Sequence, residues 1–155
     1  MNVLKTIWKN YLLNCNGTIF AVLRDAFIIK RYKLKVKIKR DNPEMDIPAY
    51  AHKGDAGMDV RANIQEPITL RMLERAIVPT GIRTAIPAGY EIQVRPRSGL
   101  AAKHGITVLN TPGTIDEKFR NTIGVILINL SNEPFVINPG DRIAQIVLNK
   151  FETIE

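Results

Sequence analysis

Apolar and charged residues alternate strictly over KLKVKIKR, residues 33 to 40, where Leu34, Val36 and Ile38 interleave with lysines. This two-residue period predicts a half-buried strand, and lysines along its other face suit a sheet edge. Pro43 and Pro48 then break the pattern. Beyond them come short β-type runs: MDVRANI, ERAIVPTGIRTAI, YEIQVRPRS, ITVLN, IGVILINLS, PFVINPG and DRIAQIVLNKF. The turn-forming groups KGDAG, QEP, IPAG, RSG, TPG, SNEP and NPGD punctuate them. Runs spaced in this way predict an all-β sandwich or barrel. Only SGLAAKHG predicts a helical turn, beginning after Ser98. No internal repeat, heptad pattern or low-complexity tract interrupts this order.

One interval does not fit a plain meander. Between Val108-Leu109 and the run Val125 to Ile128, twelve residues from Asn110 to Asn121 hold a proline, a glycine and several charges, with Asp116 at their centre. A hairpin turn needs only about two to five residues.

With 155 residues, 45% of them apolar, the chain suits one domain with a real core. The single cysteine, Cys15, excludes an internal disulfide framework and suits a reducing compartment, so a cytoplasmic location is expected. No membrane partner is expected either. The longest apolar candidate, Thr18 to Ile29, is broken by Arg24 and Asp25 and falls short of the roughly 18 residues of a span.

The net charge of +7 invites a nucleic-acid reading until its distribution is considered. Residues 1–40 hold ten Lys/Arg against one acid, Asp25, whereas residues 41–155 hold twelve against fourteen acids. The globular part is therefore mildly acidic, lacks the electrostatic footprint of a nucleic-acid binder, and is expected to have no nucleic-acid partner. Residues 1–32, basic and acid-poor, read as an atypical extension outside the fold. Organellar targeting is the weaker alternative, because serine is absent there. The folded domain is expected over 33–155.

No phosphate-loop or dinucleotide glycine fingerprint occurs. His52 and His104 lie far apart without a cysteine partner, which argues against a zinc site. Three polar constellations remain. In KGDAGMDVRA, Gly54 and Gly57 bracket Asp55, and Asp59 begins a strand. This is either an ordinary turn or a carboxylate placed to hold metal-bound water. In RPRSGLAAKHG, a strand ends in Arg97, Ser98 and Gly99. A guanidinium, a hydroxyl and bare backbone N–H groups are the parts of an anion site, and the plain alternative is a solvated turn. The third is the long interval itself, which is either a decorated surface loop or a hairpin making a concave wall with a carboxylate at its rim.

Taken in order, AGMDVRA, RPRSGLAAKHGI, NTPGTIDEKFRN…GVILIN and GDRIAQIVL resemble the first four motifs of the trimeric deoxyuridine triphosphate hydrolases, the dUTPases, over residues 34 to 150. The resemblance implies a distorted jelly-roll β-barrel and a homotrimer whose sites draw on more than one subunit. It also implies Mg2+-assisted hydrolysis of dUTP at the α-phosphorus to dUMP and diphosphate, keeping uracil out of DNA and supplying dUMP for thymidylate synthesis. By the same resemblance, Asp116 is the base that orients the attacking water. Asn110, Thr114, Ile115 and the backbone of Asp116, with Gly124 on the returning strand, form the uracil pocket. Arg97, Ser98 and Gly99 contact phosphate from a neighbouring subunit, and Gln145 adds a donor. Asp59 holds waters of the magnesium shell. The long interval would then serve both to enclose a base and to present a carboxylate.

The match is imperfect. Phe119 stands where the family usually has tyrosine against the deoxyribose, and Asn121 where it prefers glycine. The sequence ends at NKFETIE, before the family's fifth motif, a glycine-rich closing arm. A chain truncated in this way is expected to hold the triphosphate less well, which leaves a catalytically impaired trimeric nucleotide-binding or protein-binding module as the alternative. The related dCTP deaminases are a third reading, and GTIDEKF resembles the hydrolase pattern more than theirs.

Overall fold

The computed structural model describes residues 34–155, so the extension expected over 1–32 lies outside the described residues. Among the described residues, eleven strands and one short helix succeed one another: β1 (Lys37–Arg40), β2 (Gly57–Arg61), β3 (Ile68–Leu70), β4 (Arg75–Pro79), β5 (Ile82–Ala85), β6 (Tyr90–Arg95), α1 (Ser98–His104), β7 (Ile106–Val108), β8 (Gly113–Ile115), β9 (Gly124–Asn129), β10 (Phe135–Ile137) and β11 (Arg142–Lys150). This is the all-β jelly roll expected. Among the described residues, no helix is long and apolar enough to cross a membrane.

Two antiparallel sheets carry the core. One has the order β2-β11-β6-β8, the other β4-β9-β7, and two-stranded ribbons β1-β5 and β3-β10 complete the set. Alternation does the sorting, because successive strand side chains face opposite ways. Ile92 and Val94 of β6, Val125 and Leu127 of β9, and Ile146 of β11 are buried in one cluster with Val60, Val108, Ile123 and Ile137. Fully burying each such side chain stabilises by about 1.5–3 kcal/mol. The opposite face of the first sheet is left for polar residues.

The single run ERAIVPTGIRTAI divides into β4 and β5, which belong to different sheets. Gly81, at a φ of +65°, turns the chain between them, and buried Thr80 donates its hydroxyl to the Ile123 carbonyl at 2.8 Å. β1 pairs with β5 alone, with Lys37 and Lys39 exposed as an edge strand demands.

The long interval is not a hairpin closed on itself. Val108 pairs with Leu127 at its base, but the chain then crosses to the first sheet, where β8 pairs with β6 (Gln93 opposite Thr114). It returns through Ile123, whose N–H meets the Ile82 carbonyl at 2.9 Å. Gly113 permits the crossing. A Cβ there would stand 3.2 Å from the Asn110 amide nitrogen and 3.5 Å from Val94.

Candidate functional site

Strand register assembles the first half of the site. Gln145 of β11 lies opposite Asp59 of β2 on one side and Arg95 of β6 on the other. A bulge between Arg142 and Ala144 precedes it, so Ile143 and Ala144 are both buried while Gln145 faces outward. The Gln145 amide nitrogen donates to the Pro96 carbonyl at 2.9 Å. Its oxygen occupies the space beside Gly57, where a Cβ would stand only 2.3 Å away.

Asp59 accepts from Arg97 Nε at 3.0 Å and from Arg142 Nη1 at 3.3 Å, and Arg97 Nη1 also reaches the Arg142 carbonyl at 3.2 Å. These groups are partly exposed, so each ion pair contributes at most about 1 kcal/mol. Their consequence is orientation. They fix Asp59 and Arg142 in the wall of a cleft of about 700 Å³, which Gln145 and residues of the segment 45–51 also line, with Arg97 bound to both from outside that lining. Asp55 also lines this cleft, its carboxylate accepting from the His52 N–H at 2.7 Å.

Arg97 is the N-cap of α1, in extended conformation at φ −87°, ψ 126°, and makes no side-chain cap. The first backbone N–H groups of the helix, at Ser98, Gly99 and Leu100, therefore lack intrahelical acceptors. A Cβ at Gly99 would meet nothing within 4 Å in this chain, so local packing does not require glycine there. At the other end Gly105, at φ 63°, caps the helix, and Lys103 and His104 complement its dipole.

The second half of the site lies on the excursion. Asp116 is exposed, one residue beyond β8. Thr114 is exposed too, whereas the Ile115 side chain is buried, which leaves only its backbone free for a ligand. Phe119 is half-buried and packs on the core cluster, and its N–H closes a turn onto the Asp116 carbonyl at 3.0 Å. Gly124 has a packing reason of its own, since a Cβ there would approach Ile77 Cγ2 to 2.8 Å. The return leg is tied down at Asp41, which accepts from Arg83 Nε at 2.7 Å and Thr122 Oγ1 at 2.5 Å. The Arg83 hydrogen bond, then that of Thr122, holds the Asp41 carboxyl below its ordinary range.

The structure thus brings Asp59 and Arg97 into contact, with Gln145 opposite Asp59 on the paired strand and Ser98 and Gly99 next to Arg97 in the chain. It does not place Asp116 beside them. The ladder that puts Thr114 opposite Gln93 ends at Ile115 opposite Ile92, and Asp116 is the next residue, about four residues along β6 from the level of Arg95. Three strand spacings separate β8 from β2. At about 4.8 Å per spacing and 3.4 Å per residue, Asp116 and Asp59 of one chain are roughly 20 Å apart. The sequence singles out Gly57 but not Arg142, Glu117 or Asp41. Arg142 stands inside GDRIAQ and Gly57 inside AGMDVRA, but their contacts arise from pairing across distant segments. Among the described residues no three His, Cys, Asp or Glu side chains cluster as a metal-binding group.

Known proteins resemble this chain over most of its described residues. A family model described as dUTPase matches residues 43–155. The deoxyuridine 5'-triphosphate nucleotidohydrolase of Fusobacterium nucleatum is 61% identical over 123 residues, covering 79% of this chain and 84% of that one. The protein of that name from Chlamydia pneumoniae is 61% identical over 104 residues, 67% of this chain and 72% of its own. Among solved structures, an aspartate-to-glutamate mutant of the phage 80alpha dUTPase superposes with a TM-score of 0.71 at 25% identity, covering 79% of this chain and 87% of that one. An aspartate-to-asparagine mutant of the phage phi11 enzyme of S. aureus, described with a structural Mg(II) ion, gives a TM-score of 0.70 at 24% identity, over 79% and 94%.

Proposed function

We infer the function of this chain from one premise: it belongs to the dUTPase family. It is a dUTP diphosphatase, hydrolysing dUTP to dUMP and diphosphate. Water attacks the α-phosphorus, and the bond from that phosphorus to the oxygen bridging it to the β-phosphorus breaks. The exposed Asp116 carboxylate accepts a hydrogen bond from that water and takes its proton. Asn110, Thr114, the backbone of Ile115 and Asp116, and Gly124 enclose the uracil, with Phe119 beneath the sugar. Arg97, Ser98 and Gly99 grip the phosphates with guanidinium, hydroxyl and helix-start N–H groups, and Gln145 donates beside the α-phosphate.

The observation that carries this reading is the division of the candidate groups. Phosphate-type donors converge on β2, β11 and the start of α1, while the carboxylate lies roughly 20 Å away on the same chain, beyond the reach of hydrogen bonds or one bridging water. A site containing both needs a second copy, which supports an oligomer such as the homotrimer, with the phosphate grip and the Asp116 arm supplied by different subunits. Gly99, free of any packing reason within one chain, agrees with this.

Mg2+ suits the residues present. Asp59 is a partly exposed carboxylate held by arginines outside any cluster of acids, which fits a partner for metal-bound water better than a direct ligand. When bound, the ion withdraws charge from the triphosphate. A single cysteine supports a cytoplasmic location, where dUMP would serve thymidylate synthesis.

The test is diphosphate release from dUTP, dCTP, dTTP and UTP with Mg2+, for the wild type and Asp116→Asn. Hydrolysis restricted to dUTP and lost in the variant is expected. Tight dUTP binding without turnover would instead make the chain a nucleotide-binding module, and turnover retained in Asp116→Asn would remove Asp116 from its role.

A further inference from the structure

The sequence sets two acids side by side, Asp116 and Glu117, and the structure gives them opposite surroundings. Asp116 is exposed, whereas Glu117 is part-buried, and its Oε2 accepts the Gly89 N–H at 3.0 Å across 28 residues of chain. Gly89 is a fixed post. It turns at φ +78°, the Tyr90 N–H meets the Pro87 carbonyl at 3.2 Å, and the Phe151 N–H, just past β11, meets the Gly89 carbonyl at 3.2 Å. We propose that Glu117 is the positioning residue for Asp116, its carboxylate pinned to the Gly89 peptide so that the neighbouring carboxylate is held outward at the rim of the excursion.

The ladder between β8 and β6 ends at Ile115 opposite Ile92, so Asp116 is the first residue not held by sheet pairing. Its position therefore depends on the turn that Asp116 opens. The Asp116–Phe119 turn is closed by its own 3.0 Å bond, and Arg120 Nη1 donates to the Phe119 carbonyl at 2.8 Å and to the Glu117 carbonyl. Those bonds are local, and the packing of Phe119 on the core holds only the far end of the turn. The Glu117–Gly89 bond ties the near end, beside Asp116, to the chain before β6 and, through Phe151, to the end of β11. Of the base-enclosing groups, Thr114 and the Ile115 backbone are held separately by β6. Loss of the Glu117 anchor should therefore misplace the attacking water and leave nucleotide binding nearly intact.

The proposal rests on Asp116 acting as the base, and the experiment separates the two. Steady-state hydrolysis of dUTP is measured for the wild type, Glu117→Met, which keeps the aliphatic stem without an acceptor, Glu117→Gln, which keeps an acceptor oxygen, and Asp116→Asn. Displacing a reacting group by about 1 Å costs up to roughly a hundredfold, so Glu117→Met should lose roughly ten- to a hundredfold in kcat with KM within about twofold. Glu117→Gln should recover most of that rate, and melting temperatures should stay close to the wild type. Hydrogen exchange at the Gly89 amide gives an independent readout, with protection expected in the wild type and Glu117→Gln and lost in Glu117→Met. The proposal is overturned by a wild-type kcat in Glu117→Met, by a rise in KM matching the fall in kcat, by Glu117→Gln as impaired as Glu117→Met, or by an unprotected Gly89 amide in the wild type. An active Asp116→Asn would overturn the assignment of the base instead.

Discussion

Replacing Gly57 with alanine tests the phosphate side of the site without touching a polar group. The new Cβ would lie 2.3 Å from the Gln145 Oε1 and 3.3 Å from its Cδ, against 3.5 Å to Val147 Cγ2. Van der Waals contact requires about 3.5–4.0 Å, so the amide must move by more than 1 Å. It then cannot keep its 2.9 Å bond to the Pro96 carbonyl. That loss costs about 1 kcal/mol net, while alanine in place of glycine within a strand returns about 0.5–1 kcal/mol. The two nearly cancel, so the melting temperature should shift by no more than roughly 3 °C. Activity should not be spared. A hydrogen bond to a charged group contributes about 1.5–3 kcal/mol, so removing the Gln145 donor from the phosphate should cost roughly ten- to a hundredfold in kcat/KM. Calorimetry and diphosphate release on the same preparations decide the matter. An unchanged kcat/KM would refute the role given to Gln145. A large fall in melting temperature would show that Gly57 serves packing first.

Asn129→Ala should be the complementary case, damaging the fold but not the chemistry. The fully buried Asn129 amide makes four hydrogen bonds of 2.8 Å, to the Leu70 and Glu133 carbonyls and to Ser131 N and Oγ, so its loss should cost about 3–4 kcal/mol and lower the melting temperature by roughly 10 °C in calorimetry. Asp41 makes stability depend on pH in a defined direction. Its folded carboxyl is depressed, so its contribution is complete above the unfolded value of about 3.9 and is lost as pH falls through the lower folded value. The difference in urea midpoint between wild type and Asp41→Asn should be constant from pH 6 to 8 and shrink below about pH 4; a constant difference down to pH 3 would count against the Arg83–Asp41–Thr122 link.

Much of the fold is legible because alternation records which face of a strand is buried. The runs YEIQVRPRS, IGVILINLS and DRIAQIVLNKF contain β6, β9 and β11 whole, and MDVRANI contains all of β2 but Gly57. β3 and β8 escape because each is three residues set among turn-forming ones, whereas β7 and β10, equally short, lie in the apolar runs ITVLN and PFVINPG; β3 and β8 exist through partner strands distant in sequence, β10 and β6. The division of ERAIVPTGIRTAI escapes for a related reason: apolar content marks both halves alike, and only pairing with β9 or β1 tells them apart. In the site, Asp59, Arg97 and Gln145 can be read from motif order. Their mutual contacts come from register across three strands and could not be. Glu117 is harder still, since nothing local distinguishes a tethered carboxylate from a free one beside it.

The roughly 20 Å between Asp116 and Asp59 also bears on inheritance. If, as proposed, the chain gives its phosphate grip to one neighbour and its Asp116 arm to another, it carries two half-sites that fail independently. A lesion in each half, carried on separate copies, is then complementary rather than cumulative once the copies mix, because some composite sites receive two sound halves.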